Sequence, residues 1–128
     1  MPFSFINTVA SWMLKKRIHQ IELFEKYPLD VQNEELKKLI QISKNTEFGK
    51  QYEFSSIESY ETFKERIPSF TYEEFFPIIN KTINGNQNIF WPEKIKWFAQ
   101  SSGTTNSKSK FIPVSNSSLD NWHFKGGK

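Results

Sequence analysis

A chain of 128 residues, 37% hydrophobic and without cysteine, suffices for one small globular domain but excludes a disulfide framework, a thiolate nucleophile and cysteine-ligated zinc. Lysine and arginine exceed the acids by 17 to 14, a net charge of +3, too small and too dispersed to imply a nucleic-acid partner. No segment reads as a leader or as the ~20-residue apolar run of a membrane helix, so a cytoplasmic protein without stable membrane association is expected.

In chain order, residues 4–27 predict a long helix. Ile6, Ala10, Met13, Ile21 and Phe24 recur at spacings of three and four, with Arg17 breaking the stripe. Ser4 is a cap candidate and Pro28 a stop. Residues 31–44 predict a second helix with Asp30 as N-cap and Leu36, Leu39 and Ile40 on its buried face. The stretch "NTEFGKQYEF" (45–54) carries Gly49 and predicts a turn and connector. A short helix is expected over 57–66, ending before Pro68. Thr71 with Glu74 three residues on is the pattern of a capping box. The helix it opens should run to about residue 84, with Gly85 just past its end and Pro77 as a point of kinking.

Residues 84–88 predict a polar turn. Residues 95–100 and 110–114 then predict two strands, a hairpin or near neighbours, with Pro113 at an edge or strand end. Trp97, next to Phe98 in the first strand, is expected in the core. A capped helix should open at Ser117 or Ser118. The expected organisation is therefore residues 1–90 mainly helical, 91–115 strand–loop–strand, and 116–128 the start of a truncated helix. Two strands are marginal by themselves, so the chain reads as the N-terminal piece of something larger. The alternative, a complete small helical domain with a hairpin, stands beside it.

The connection between the strands holds the chemistry. Ser101, Ser102, Gly103, Thr104 and Thr105 place four hydroxyls around a glycine. Small side chains leave backbone N–H groups accessible, and glycine permits positive φ. Such a loop wraps an anion with amides and hydroxyls together, and Lys108 and Lys110 add positive charge. A solvated polar turn has the same composition, so both readings stand on composition alone. The loop is not a Walker loop, because no "GK[ST]" follows. Histidine, present only at positions 19 and 123, has no metal-spaced partner. Ser101 and Ser102 lack the "G-x-S-x-G" context of a serine nucleophile.

The string "IKWFAQSSGTTNSKSKFIPVS" (95–115) resembles the phosphate-binding loop of the acyl-adenylate-forming enzymes, in particular the auxin-responsive acyl-acid amido synthetases. "KNTEFGKQY" (44–52) and "HFKGGK" (123–128) are similar to further segments of that family, in the same order. Where the family commonly has a glycine, this chain has Asn106 and Ser107. The resemblance implies a mixed α/β fold, the helix-rich start of a large adenylating domain with its first strands around the phosphate loop. It implies ATP and magnesium as cofactors, and a carboxylic acid and an amino acid as substrates. Ser101, Ser102, Gly103, Thr104, Thr105 and Lys110 would hold the ATP phosphates, with Lys108 a solvated neighbour. The segments for adenine, magnesium and the acyl group would lie outside this sequence, and the piece alone would be inactive. A different class remains open: a non-catalytic helical module using the basic amphipathic stretch "WMLKKRIHQ" (12–20) against a partner or membrane surface, an idea weakened by Glu22 and Glu25.

Overall fold

A computed structural model describes residues 3–102 and 108–123. The chain divides into two compact units, Met1–Lys38 and Leu39–Lys128.

The first unit holds α1 (Phe3–Lys26) and most of α2 (Pro28–Ser43). Pro28 does more than stop α1. It is the first residue of α2, where its missing N–H is one the helix leaves unbonded anyway. Asp30 therefore lies in the first turn instead of at the cap expected for it, where its charge still suits the positive end of the helix dipole. Among its described side chains, the apolar stripe of α1 is largely exposed, as are its neighbours, with Trp12 at 63% and Met13 at 61%.

The second unit begins with the last turn of α2 and has its own core. Ile40, Phe54, Ile57, Ile79, Ile89 and Ile95 are buried. Phe48 sits among the rings of Tyr52, Phe54, Phe70 and Phe75, at centroid separations of 4.6 to 6.4 Å, and Phe75 reaches Phe90 at 6.1 Å. Tilted and edge-on contacts of this kind add to simple area burial. Here the aromatic load is used.

Phe48 lies on a helix where only a turn was expected, α3 (Glu47–Gln51). Four hydrogen bonds override the local breaker signal of Gly49. Fully buried Thr46 donates its hydroxyl to the Ser43 carbonyl at 2.6 Å and accepts the Gly49 N–H at 2.9 Å. The N–H groups of Glu47 and Phe48 donate to the carbonyls of Asn88 and Ile89 at 3.0 and 2.8 Å. The helix start is thus satisfied from two sides, as buried polar groups require. Gly49 is forced by space: a Cβ there would meet the Ser43 carbonyl oxygen at 2.1 Å.

A 3-10 turn (Phe54–Ser56) follows, held by Arg66, whose guanidinium donates to the Glu53 carbonyl at 2.9 Å and to Ser56 Oγ at 2.6 Å. Helix α4 (Tyr60–Arg66) is capped by Ser59. Helix α5 (Tyr72–Ile83) has the expected capping box of Thr71 and Glu74 and continues through Pro77. It ends as expected: Gly85, at φ +94°, donates to the Thr82 carbonyl, and Asn86 donates to that of Lys81, the paired bonds of a Schellman motif.

Strands β1 (Trp97–Gln100) and β2 (Phe111–Val114) form the antiparallel hairpin, with Trp97 opposite Val114 and Gln100 opposite Phe111. Ser101 donates to the Lys110 carbonyl on the next rung. Bonded and non-bonded rungs alternate, so Phe111 and Pro113 turn their outer backbone groups away from β1. Pro113 therefore costs the ladder no hydrogen bond. Trp97 departs from expectation. It is 61% exposed, because it shares a hairpin face with exposed Ala99 and Ile112 that faces water among the described residues. Ser115, not Ser117 or Ser118, caps the next helix, α6 (Asn116–Ser118), which runs into a π-helical turn over Leu119–His123.

Candidate functional site

The connection from 101 to 110 is closed at its base by two bonds between its ends. The Ser101 N–H donates to the Lys110 carbonyl at 2.9 Å, and the Lys110 N–H donates to Ser101 Oγ at 3.0 Å. Ser101 thus uses its oxygen to close the loop. Ser102 and Lys108 are exposed. Gly103, Thr104 and Thr105, the centre of the expected phosphate cradle, lie outside the described residues, as do Asn106 and Ser107.

Lys110 is half-buried, and its ammonium stands 5.2 Å from the ring centroid of Tyr72. The ring's negative face attracts the cation, so the side chain is drawn toward α5. Among the described residues no carboxylate forms an ion pair with it. An ammonium held in place with no carboxylate counter-ion among the described residues is available to an anion.

Tyr72 itself does more than carry the lysine. Its hydroxyl accepts the Phe111 N–H at 2.8 Å and donates to the Phe111 carbonyl at 3.2 Å. These are the two outward-facing groups of the non-bonded rung. Tyr72 is the first residue of α5, and the capping box sets it there. Glu74 accepts from the Thr71 N–H at 2.8 Å and from its hydroxyl at 2.9 Å. The backbone bond first, then the hydroxyl bond, hold the Glu74 carboxyl below the usual carboxylate range. Sequence reasoning missed Tyr72; nothing local links it to a residue 39 positions away.

A second polar group anchors the far end of β2. Half-buried Glu93 accepts from Ser117 through the hydroxyl at 2.8 Å and the backbone N–H at 3.1 Å, and from the Trp91 indole at 3.3 Å. The Ser117 hydroxyl and then its backbone N–H lower the Glu93 pKa. Beside it lies a cleft of about 240 Å³ lined by Leu39, Phe90, Trp91, Ile95, Pro113 and serines of the α6 turn. Ile95 is tethered in turn by its N–H to Gln87 Oε1 at 2.9 Å. The loop end of β2 is therefore fixed to α5 by Tyr72, and the segment before β1 is tied to α6 by Glu93.

Among the described residues no cluster of three or more His, Cys, Asp or Glu side chains could hold a metal ion. What the described part of the loop presents is the Lys110 cation beside a closed base. His19 is exposed, 3.8 Å from the Glu22 carboxylate. Among the described residues no helix is long and apolar enough to cross a membrane.

The family model of the GH3 family N-terminal domain matches residues 17–126. The chain belongs to the GH3 family. The match takes in α3, α5 and the whole hairpin with its loop, and it bears out the resemblance to the auxin-responsive amido synthetases. Among individual GH3 relatives, the chain is similar to indole-3-acetic acid-amido synthetase GH3.2 of Arabidopsis thaliana, 31% identical over 106 residues that make up 82% of this chain and 19% of that protein. Jasmonoyl-L-amino acid synthetase GH3.5 of Oryza sativa subsp. japonica is 27% identical over 107 residues, 83% of this chain and 18% of that one. The 4-substituted benzoates-glutamate ligase GH3.12 of Arabidopsis thaliana is 29% identical over 111 residues, 80% and 19% respectively. The chain thus spans about a fifth of the length of the curated relatives it matches.

Proposed function

We propose that this chain is the N-terminal portion of an ATP-dependent acyl-acid amido synthetase and that its 101–110 loop holds the nucleotide phosphates. The observation that carries the reading is the family match across 17–126, which includes the hydroxyl-rich loop and the lysine at its end. The relatives' names support the reaction class. They differ in the acid, indole-3-acetic, jasmonoyl or benzoate, and share the joining of an acid to an amine-bearing partner.

The reaction proposed is a carboxylate attack on the α-phosphorus of ATP, breaking the bond to pyrophosphate, followed by attack of an amino acid's amine on the acyl carbon with AMP leaving. ATP supplies the leaving groups; the chain's own residues manage charge and geometry. Lys110, drawn toward Tyr72, offsets negative charge building on the departing pyrophosphate, and preorganised donors there stabilise the transition state more than the ground state. Ser101 keeps the two ends of the loop together through its bond to Lys110. Ser102, Gly103, Thr104 and Thr105 supply the remaining amides and hydroxyls in this reading. Magnesium would enter with the nucleotide, whose phosphates would supply part of its coordination.

The test uses the full-length protein with ATP, magnesium, an amino acid mixture and, in turn, indole-3-acetate, jasmonate and a 4-substituted benzoate. AMP and pyrophosphate should appear in step with an amide. Release of ADP and orthophosphate rejects the reading. Lys110→Ala should lose a charge-assisted contact of about 1.5–3 kcal/mol, or roughly 10- to 150-fold in kcat/KM for ATP. Lys108→Ala should lose less than about threefold, as a solvent-screened neighbour does.

A further inference from the structure

We propose that Tyr72 is a positioning residue for the nucleotide loop: its hydroxyl locks the start of β2 and its ring sets the place of the Lys110 ammonium. The inference rests on the proposed phosphate role of the loop and extends it to a residue on a different element.

The hairpin alone does not fix Phe111 on its outer side. Phe111 lies on a rung whose N–H and C=O point away from β1. At a sheet edge such groups are left to water or to another strand. Here one phenol serves both, because a hydroxyl donates and accepts at once. It takes the N–H at 2.8 Å and gives its proton to the carbonyl at 3.2 Å. Phe111 directly follows Lys110, so pinning its backbone pins the last residue of the loop.

The ring performs a separate task. The Lys110 ammonium stands over it at 5.2 Å, while the Lys110 backbone is held by Ser101, the residue that follows β1. Backbone and side chain of the lysine are thus both constrained, from different elements. A long side chain otherwise loses considerable rotamer freedom when it engages a phosphate, and a preset position reduces that loss. Phe76, at 5.7 Å from the Tyr72 ring, backs it one helical turn along α5.

The two tasks separate by substitution. Tyr72→Phe removes the hydroxyl and keeps the ring; Tyr72→Leu removes both. The measurement is the equilibrium Kd of magnesium-ATP for the full-length protein by calorimetry, which requires no knowledge of the acyl acid. Tyr72→Phe should raise Kd about 3- to 10-fold, the scale of one or two net hydrogen bonds. Tyr72→Leu should add about 2- to 5-fold for the lost cation–ring contact. On a Lys110→Ala background the Leu and Phe variants should bind alike, because the ring acts only through that ammonium.

Failure of ATP to bind the parental protein, or a Lys110→Ala variant with parental Kd, overturns the phosphate reading and this inference with it. A weakened Lys110→Ala with both Tyr72 variants at the parental Kd overturns the inference alone. A difference between Leu and Phe that persists undiminished without Lys110 assigns Tyr72 to packing and overturns the positioning role. Should Tyr72→Leu fold poorly, Tyr72→Phe still decides the hydroxyl's part, since it leaves the ring in place.

Discussion

The two units are built from the same kind of residue and use it in opposite ways. In Leu39–Lys128 the aromatic side chains of Phe48, Tyr52, Phe54, Phe70 and Phe75 meet one another, and the ends of short helices are closed by Thr46, Ser59, Thr71 and Ser115. In Met1–Lys38, Trp12, Leu14, Ile18, Ile21 and Phe24 of α1 are each more than half exposed. Helices as short as five residues persist in the second unit because caps and packing replace length. A helix of 24 residues in the first leaves these side chains uncovered among the described residues. The difference teaches that helical periodicity finds the helix, while caps and ring contacts decide where this chain stores its stability.

The strongest way to break this comparison is at Gly49. A Cβ would stand 2.1 Å from the Ser43 carbonyl oxygen and 3.0 Å from Lys44 backbone atoms, which cannot swing aside as a side-chain tip would. Gly49→Ala should destabilise the second unit by about 3 kcal/mol, as overpacking against backbone does. Urea unfolding followed by near-ultraviolet circular dichroism, which reports the packed rings, is the check. A loss under 1 kcal/mol, roughly the size of a propensity effect, means the α2–α3 corner is not the tight joint described here.

Thr46→Ala comes next. It removes the cap and leaves the Gly49 N–H without its acceptor in a buried place, for a cost of about 2 kcal/mol. Thr46→Ser retains the oxygen and should recover part of it. If Ser and Ala behave alike in the same unfolding measurement, the methyl and not the hydroxyl carries the site.

Acid should act on the second unit through Glu74 and Glu93. Both carboxyls sit below the ordinary value of 4.5 in the folded chain, held there by bonds from Thr71 and from Ser117. The unfolded chain therefore binds these protons more readily. Their contribution to stability is complete above the ordinary value and lost as pH falls through the lowered ones. The urea midpoint of the 128-residue chain should drop with acid over roughly pH 5 to 3. Glu74→Gln with Glu93→Gln should flatten that drop, and an unchanged slope in the double variant removes these two groups as its cause.

Much of the second unit was legible because its signals are local. Thr71, Glu74 and Gly85 announce both ends of α5 within the residues they cap, and the hairpin follows from two short apolar runs around a polar loop. Helix α3 was not legible, since it depends on a buried threonine and on carbonyls of Asn88 and Ile89, about forty residues further on. Pro28 reads as a stop from one side and starts a helix from the other. Trp97 was assigned to the core by its type, yet its face of the hairpin has no covering layer among the described residues. At the site, the loop's hydroxyls and Lys110 were visible as composition and by resemblance. Tyr72 was invisible, because its bond to Phe111 is a product of the fold.

The smallest expected effect lies in the first unit and tests the other half of the comparison. Trp12 and Ile21 are 63% and 56% exposed, so truncating either one gives up little buried area. In this chain Trp12→Ala and Ile21→Ala should each change the unfolding free energy by no more than about 0.5 kcal/mol, as uncovered surface positions do. The same residue types in a core would cost about 2–5 kcal/mol. The measurement is urea unfolding of the 128-residue chain, paired with the same substitutions in the full-length protein. Near-zero change in the first and a loss of about 2 kcal/mol or more in the second would mean that further residues of the longer protein cover α1. A large loss already in the 128-residue chain would mean that the stripe is buried there, and the contrast between the two units would fail.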